Sequence, residues 1–173
     1  SPSAVLFCKA LGRLLAGDPH VIIVSGGAKH RSGQPADDLA ADWWIVSTAQ
    51  SAMSKDAVFD RVITVVREDW AQDAGFHIGK EQRARGRTSE ARRISFVRDV
   101  DALIAVNGGR GTNQELALAF EQEIKVLPVP MFGGAAQEYW TAYRSDLLES
   151  LNIREEDARR WEAAPPPEAE GAL

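Results

Sequence analysis

A single cysteine, Cys8, stands in a chain of 173 residues, which excludes an intramolecular disulfide and suits a reducing compartment. Long apolar runs are missing as well. No stretch approaches the ~20 apolar residues that a membrane-spanning helix needs. Ser1-Pro-Ser3 also opens no signal-peptide pattern, so a cytoplasmic location and no membrane partner are expected. The three histidines, His20, His30 and His77, lack close metal-ligand spacing, and Cys8 is remote from them. Neither a metal nor a resident cofactor is therefore expected. Positive charge is in deficit, with a formal net charge of −5, which argues against a general nucleic-acid binder. The cations are unevenly placed: residues 80–98 carry seven against two acids. Internal repeats are absent. Hydrophobic residues at 45% and charged residues at 26% are ordinary globular values, so wholesale disorder is excluded.

The length suits one substantial core, read here as a domain over residues 1–153 followed by a charged, proline-rich tail over 154–173. Within the tail, Ala163 to Leu173 contains Pro165-Pro166-Pro167 and reads as disordered. Ser3 can cap a first helix, in which Val5, Cys8, Leu11 and Leu15 recur at helical spacing before Gly17-Asp18-Pro19 stops it. Cys8 falls on that stripe and reads as inert packing. Short apolar runs bounded by breakers predict four strands, at about residues 21–24, 61–66, 102–106 and 126–129. A helix is predicted from Asp37 or Asp38 to about Met53. It carries Trp43 and Trp44, which as neighbours cannot share one helix face, so one should pack on the sheet and the other meet a partner subunit or a ligand base. Residues 67–87 lack periodicity and read as a functional or mobile loop. Thr88 or Ser89 then caps a helix whose apolar side is Ala91, Ile94 and Val97, while Arg93 and Arg98 read as its solvated face.

The centre of the chain is Asp101-Ala-Leu-Ile-Ala-Val-Asn-Gly-Gly-Arg-Gly-Thr-Asn-Gln-Glu115. A short apolar run closed by glycines suits a buried strand of a parallel sheet. Gly108, Gly109 and Gly111 leave amide N–H groups bare of side chains where a helix begins, so a phosphate can approach the positive end of that helix. Thr112 would cap the helix, with Glu115 closing a capping box, and Leu116, Phe120 and Ile124 would be its buried face. Two further glycine turns follow strands, Ser25-Gly26-Gly27 and Gly133-Gly134-Ala135. Ligands of open parallel sheets sit beyond such strand ends. The dinucleotide fingerprint does not fit the central turn, and no Lys-Ser or Lys-Thr pair follows to make it a P-loop.

Gly108-Gly-Arg-Gly-Thr-Asn-Gln-Glu115 resembles the Gly-Gly-x-Gly-Thr-x-x-Glu signature of the Lonely Guy phosphoribohydrolases and the wider SLOG superfamily, and Arg92 stands where that family carries an arginine on the preceding helix. The resemblance spans roughly Leu11 to Tyr143 in order of elements and is specific from Arg92 to Glu115. It implies an α/β Rossmann-like fold, an open parallel sheet with helices on both faces. The ligand crevice it implies is formed by Ser25, Gly26, Gly27, Arg92, Arg93, Gly108, Gly109, Arg110, Gly111, Thr112, Glu115, Gly133, Gly134 and Ala135. Three departures bear on function. Family members begin with a strand and a Gly-Ser turn, whereas this chain goes straight into a helix, so a sheet strand and an effector domain are expected upstream of Ser1. Asn107 replaces the family's proline. Leu127-Pro-Val-Pro-Met-Phe-Gly-Gly-Ala135 is similar to SLOG domains of antiphage effectors, which sense nucleotide signals such as cyclic ADP-ribose isomers.

The resemblance therefore implies a homo-oligomeric sensor of an ADP-ribose-type ligand. The alternative is a nucleoside 5′-monophosphate phosphoribohydrolase that uses Arg92 and Glu115 as catalytic residues and releases a free base. A third class is an interaction domain whose crevice stays empty.

Overall fold

The computed structural model describes residues 2–27, 40–69 and 78–163. They fall into two compact units, Ser1–Phe96 and Val97–Leu173. The predicted helix start at Asp37 or Asp38, together with His30, His77 and the proline run, lies outside the described residues.

The first unit runs α1 (Pro2–Gly17), β1 (Ile23–Ser25), α2 (Ala41–Ala52), α3 (Lys55–Arg61), β2 (Val62–Val66), β3 (Lys80–Arg83) and α4 (Ser89–Arg98), the last two residues of α4 falling to the second unit. Its sheet is parallel, in the order β1-β2-β3, with Ile23 opposite Val62 and Ile63 opposite Lys80. Strand β2 is central because Val-Ile-Thr-Val-Val offers β-branched side chains to both faces, and Val62, Val65 and Val66 are buried. The core gathers Ile23, Val46, Ala49, Val58, Val62 and Ile78, with Leu15, Val21, Trp43 and Met53 packed around them. Both tryptophans are half-buried. Trp43 joins this core, whereas the Trp44 ring lies under Lys9 Nζ, 4.7 Å from its centroid.

Three readings of this half are corrected. Strand β3 replaces part of the expected loop: Lys80-Glu-Gln-Arg83 contains no apolar residue, and what holds it to β2 is its ladder and the buried Ile78 and Ala84 at its two ends. Arg61 ends α3 and does not begin a strand. Its guanidinium donates to the carbonyls of Leu15, Ala16, Asp18 and Val21; the first two are among the last carbonyls of α1, which an α-helix leaves without partners. On α4 the buried residues are Ser95 and Val97, and Ile94 is 41% exposed.

The second unit contains β4 (Ala102–Val106), α5 (Arg110–Glu121), β5 (Lys125–Val129), a 3-10 turn (Pro130–Phe132), α6 (Gly134–Ser150) and α7 (Glu155–Glu162). Strands β4 and β5 pair in parallel from Ala102 opposite Lys125 to Val106 opposite Val129. Helix α5 buries Leu116 and Ala119. Phe120, expected in that face, is 57% exposed, and its ring stacks on Tyr143 at 5.2 Å.

The charged segment expected to be tail from residue 154 is helical over Glu155–Glu162 and folds onto α6. Its Ala158 is buried with Trp140 and Leu147, and Trp161 Nε1 donates to the Pro128 carbonyl at 2.8 Å. Arg144 makes a two-pronged contact with Glu155 at 2.8 and 3.0 Å and reaches Glu162 Oε1 at 2.6 Å, an oxygen that also accepts from Trp140 Nε1 at 2.8 Å. The charged composition hides this helix because one alanine and two tryptophans carry its packing, while Arg144 of α6 holds the carboxylates at its two ends, Glu155 and Glu162, and Arg154 and Arg160 pair with Asp157 and Glu156.

Arg144 lowers the pKa of both Glu155 and Glu162, through hydrogen bonds to their carboxylates. Both groups therefore favour the folded state above their unfolded pKa values, and the contribution disappears as pH falls through the folded ones. Thermal melts of the wild type should lose stability on acidification below about pH 5, and Arg144→Met should flatten part of that slope while lowering the melting temperature at neutral pH.

Candidate functional site

In the first unit, β1 delivers Ser25, 1% exposed, to its C-terminal end, where the chain turns through the buried Gly26 and Gly27. The Ser25 hydroxyl donates to Asp42 Oδ2 at 2.9 Å and accepts from the Gly27 N–H at 3.1 Å. Gly27 has a φ of +59° and a hypothetical Cβ would lie 2.8 Å from Thr64 Cγ2, so both backbone and space require glycine there. Arg92, half-buried on α4, donates from Nη1 to the Gly26 carbonyl. The start of α4 is as expected, with the Thr88 hydroxyl accepting from the Ala91 N–H at 3.0 Å.

Arg93 is half-buried, while Arg98 is exposed and chelates Asp99 at 2.8 Å through both oxygens. Asp42, in the first turn of α2, went unnoticed in the sequence because acids in that turn simply complement the helix dipole. Its charge also reaches the buried Cys8. The Cys8 thiol is pushed up to about 11, by burial first and by Asp42 second, which leaves it protonated and unreactive at neutral pH.

In the second unit, β4 ends at Asn107, whose φ is +57°. Proline, locked near −65°, cannot adopt this conformation, so the turn as built excludes it. Gly108 follows with φ +99°, and a Cβ there would collide with Thr112 Oγ1. The Asn107 and Gly108 carbonyls accept from the N–H groups of Ala136 at 3.1 Å and Ala135 at 3.0 Å. Gly134, φ +63°, completes the lock, because a Cβ at that position would strike Asn107 Oδ1 and the Gly108 carbonyl. The Asn113 amide donates to Glu138 Oε2 at 3.1 Å, joining the first turns of α5 and α6.

Helix α5 starts at Arg110, earlier than the sequence suggests, with Gly109 as N-cap and its carbonyl accepting from the Asn113 N–H at 3.0 Å. Thr112 is thus inside the first turn and not the cap, and no side-chain cap bond is made. The expected capping box gives way to a helix end with no side-chain cap among the described residues. Glu115 is half-buried in the second turn of α5, and Arg110 is exposed at its head. Ala135 is buried and its N–H is committed to Gly108, while the Gly133 N–H donates to the Pro130 carbonyl at 3.0 Å. By contrast, α-helical geometry leaves the N–H groups of Arg110, Gly111 and Thr112 without intrahelical partners. Gly109, just before them, is exposed, has a φ of −128°, and a Cβ added there would meet nothing within 4 Å.

No protein-family model matches the sequence, and no curated protein matches it either. Among solved structures the chain is similar to the X-ray structure of TM1055, a structural-genomics target, with a TM-score of 0.60 and 18% identity over 78% of this chain and 67% of that one. The chain has an α/β, Rossmann-like fold. At that identity the likeness is one of fold, and it agrees with parallel strands alternating with helices in both units. Among the described residues no helix is long and apolar enough to cross a membrane.

The three glycines of the second unit should separate on substitution. Gly108→Ala and Gly134→Ala combine a left-handed backbone with a collision and should each destabilise by about 1–3 kcal/mol. Gly109→Ala should cost about 1 kcal/mol or less. Urea unfolding of the three variants checks this order.

Proposed function

We propose that the chain binds a nucleotide-derived ligand by placing its phosphate on the head of α5, as a SLOG-type sensor of an ADP-ribose or cyclic ADP-ribose signal. The observation that carries this reading is Gly109. Its φ is open to other residues and a side chain there would touch nothing, so no steric contact within the fold demands glycine, and its place as N-cap accounts for only about 1 kcal/mol. A phosphate approaching the amides of Arg110, Gly111 and Thr112 does need the space.

The resemblance of Gly108-Gly-Arg-Gly-Thr-Asn-Gln-Glu115 to the SLOG signature supports two further roles. In the first unit Arg92 offers a charge-assisted bond to an anionic group, and in the second Glu115 accepts from ribose hydroxyls. The 127–135 segment, similar to antiphage SLOG domains, favours sensing, with the domain acting in a homo-oligomer to regulate an effector. The signature Glu115 itself favours a second reading, phosphoribohydrolysis, in which its carboxylate stabilises an oxocarbenium-like ribose or positions water; Arg92 is the other catalytic residue that the resemblance implies.

Titration calorimetry with adenosine 5′-monophosphate, ADP-ribose and cyclic ADP-ribose isomers, run beside an assay for released base, tests both. Binding without base release is expected. Arg92→Ala should weaken binding by about 1.5–3 kcal/mol, roughly one to two orders of magnitude. Glu115→Gln should weaken binding without changing the melting temperature. Base release that Glu115→Gln abolishes would put the hydrolase first, and failure of every ligand to bind would overturn both readings.

A further inference from the structure

The first unit carries a continuous run of hydrogen bonds that starts on α2 and ends at Arg92. Asp42 Oδ2 accepts the Ser25 hydroxyl proton at 2.9 Å. The oxygen of that hydroxyl accepts the Gly27 N–H at 3.1 Å. The peptide carbonyl between them, on Gly26, accepts Nη1 of Arg92. A serine hydroxyl has one proton, and committing it to a carboxylate turns the lone pairs of the oxygen toward the other partner. Asp42 thereby fixes which way Ser25 faces, Ser25 fixes the Gly27 N–H, and the turn so fixed aims the Gly26 carbonyl. Ser25, Gly26 and Gly27 are all buried, where such bonds are strong and cooperative. The two glycines leave no side chain between the strand end and the guanidinium: a Cβ on Gly26 would collide with Arg92 Nη1.

We propose that Asp42 is a positioning residue for Arg92, acting through Ser25 and the Gly26-Gly27 turn. A guanidinium has five N–H donors in a rigid fork. The bond to the Gly26 carbonyl holds the side chain in one orientation, so part of the cost of ordering it is met before a ligand arrives. The role of Arg92 toward a ligand rests on the nucleotide-binding reading, whereas the orientation of its side chain does not. What Ser25 needs from residue 42 is an acceptor oxygen more than a charge. Asparagine at that position keeps the acceptor and removes the charge, and alanine removes both. Cys8 reports on the charge separately, since Asp42 helps to raise its thiol; Asp42→Asn should bring that ionisation down whatever happens at Arg92.

The test uses the whole chain with two readouts: the guanidinium nitrogen signals of Arg92 by NMR without ligand, and the affinity for adenosine 5′-monophosphate by calorimetry. The wild type and Asp42→Asn should show a slowly exchanging, restricted Arg92 guanidinium. Asp42→Ala and Ser25→Ala, each folded by circular dichroism, should lose it and weaken the nucleotide roughly tenfold. In an Arg92→Ala background Asp42→Ala should cost nothing further, because the two residues act as one.

An unchanged Arg92 signal in a folded Asp42→Ala or Ser25→Ala chain overturns the proposal, and so do affinity losses that simply add. Should Asp42→Ala fail to fold, Ser25→Ala decides by the same two readouts. If the wild type binds no adenosine 5′-monophosphate, the ligand reading for this nucleotide fails, and the guanidinium signal alone decides whether Asp42 positions Arg92.

Discussion

Two backbone hydrogen bonds govern the second unit: the carbonyls of Asn107 and Gly108 accept from the N–H groups of Ala136 and Ala135. They bind the turn after β4 to the head of α6, so the two glycine turns behave as one rigid body. The lock has a cost in sequence. Asn107 must take a left-handed conformation, Gly108 must lack a side chain to clear Thr112, and Gly134 must lack one to clear Asn107. It also decides which helix end is available. The first amides of α6 are consumed internally, and the bare head belongs to α5.

The first unit solves a similar problem with side chains. Its glycine turn is held from below by the Ser25 hydroxyl and from the side by Arg92, with Asp42 orienting the serine. In both units the strand end is stripped of side chains, and helical residues reach in to fix it. Parallel strands favour this arrangement because a crossover helix returns the chain to begin the next strand at the same end of the sheet, as α5 does between β4 and β5.

Much of this was legible in the sequence, for identifiable reasons. Strands β2, β4 and β5 are short Val-rich and Leu-rich runs between breakers, and the first helix has a clean apolar stripe with a Gly-Asp-Pro stop. Strand β3 was invisible because Lys80-Glu-Gln-Arg83 is an edge strand anchored by residues outside it. Helix α7 is hidden by its charge: Arg144 of α6 binds Glu155 and Glu162 at its two ends, and the charges between pair locally. Thr112 was misplaced as a cap because Thr-x-x-Glu is the local pattern of a capping box, and only the lock on Gly108 pulls the helix start back to Arg110. Asp42 carries no local signal at all, since its meaning depends on Ser25, 17 residues away.

On the proposed nucleotide-binding reading, Gly109 keeps the amides at the head of α5 open to phosphate. Calorimetry of adenosine 5′-monophosphate and ADP-ribose with Gly109→Ala, alongside its urea midpoint, tests this most directly. Nucleotide affinity should fall at least tenfold while the midpoint stays close to that of the wild type. Unchanged affinity in the folded variant would contradict it.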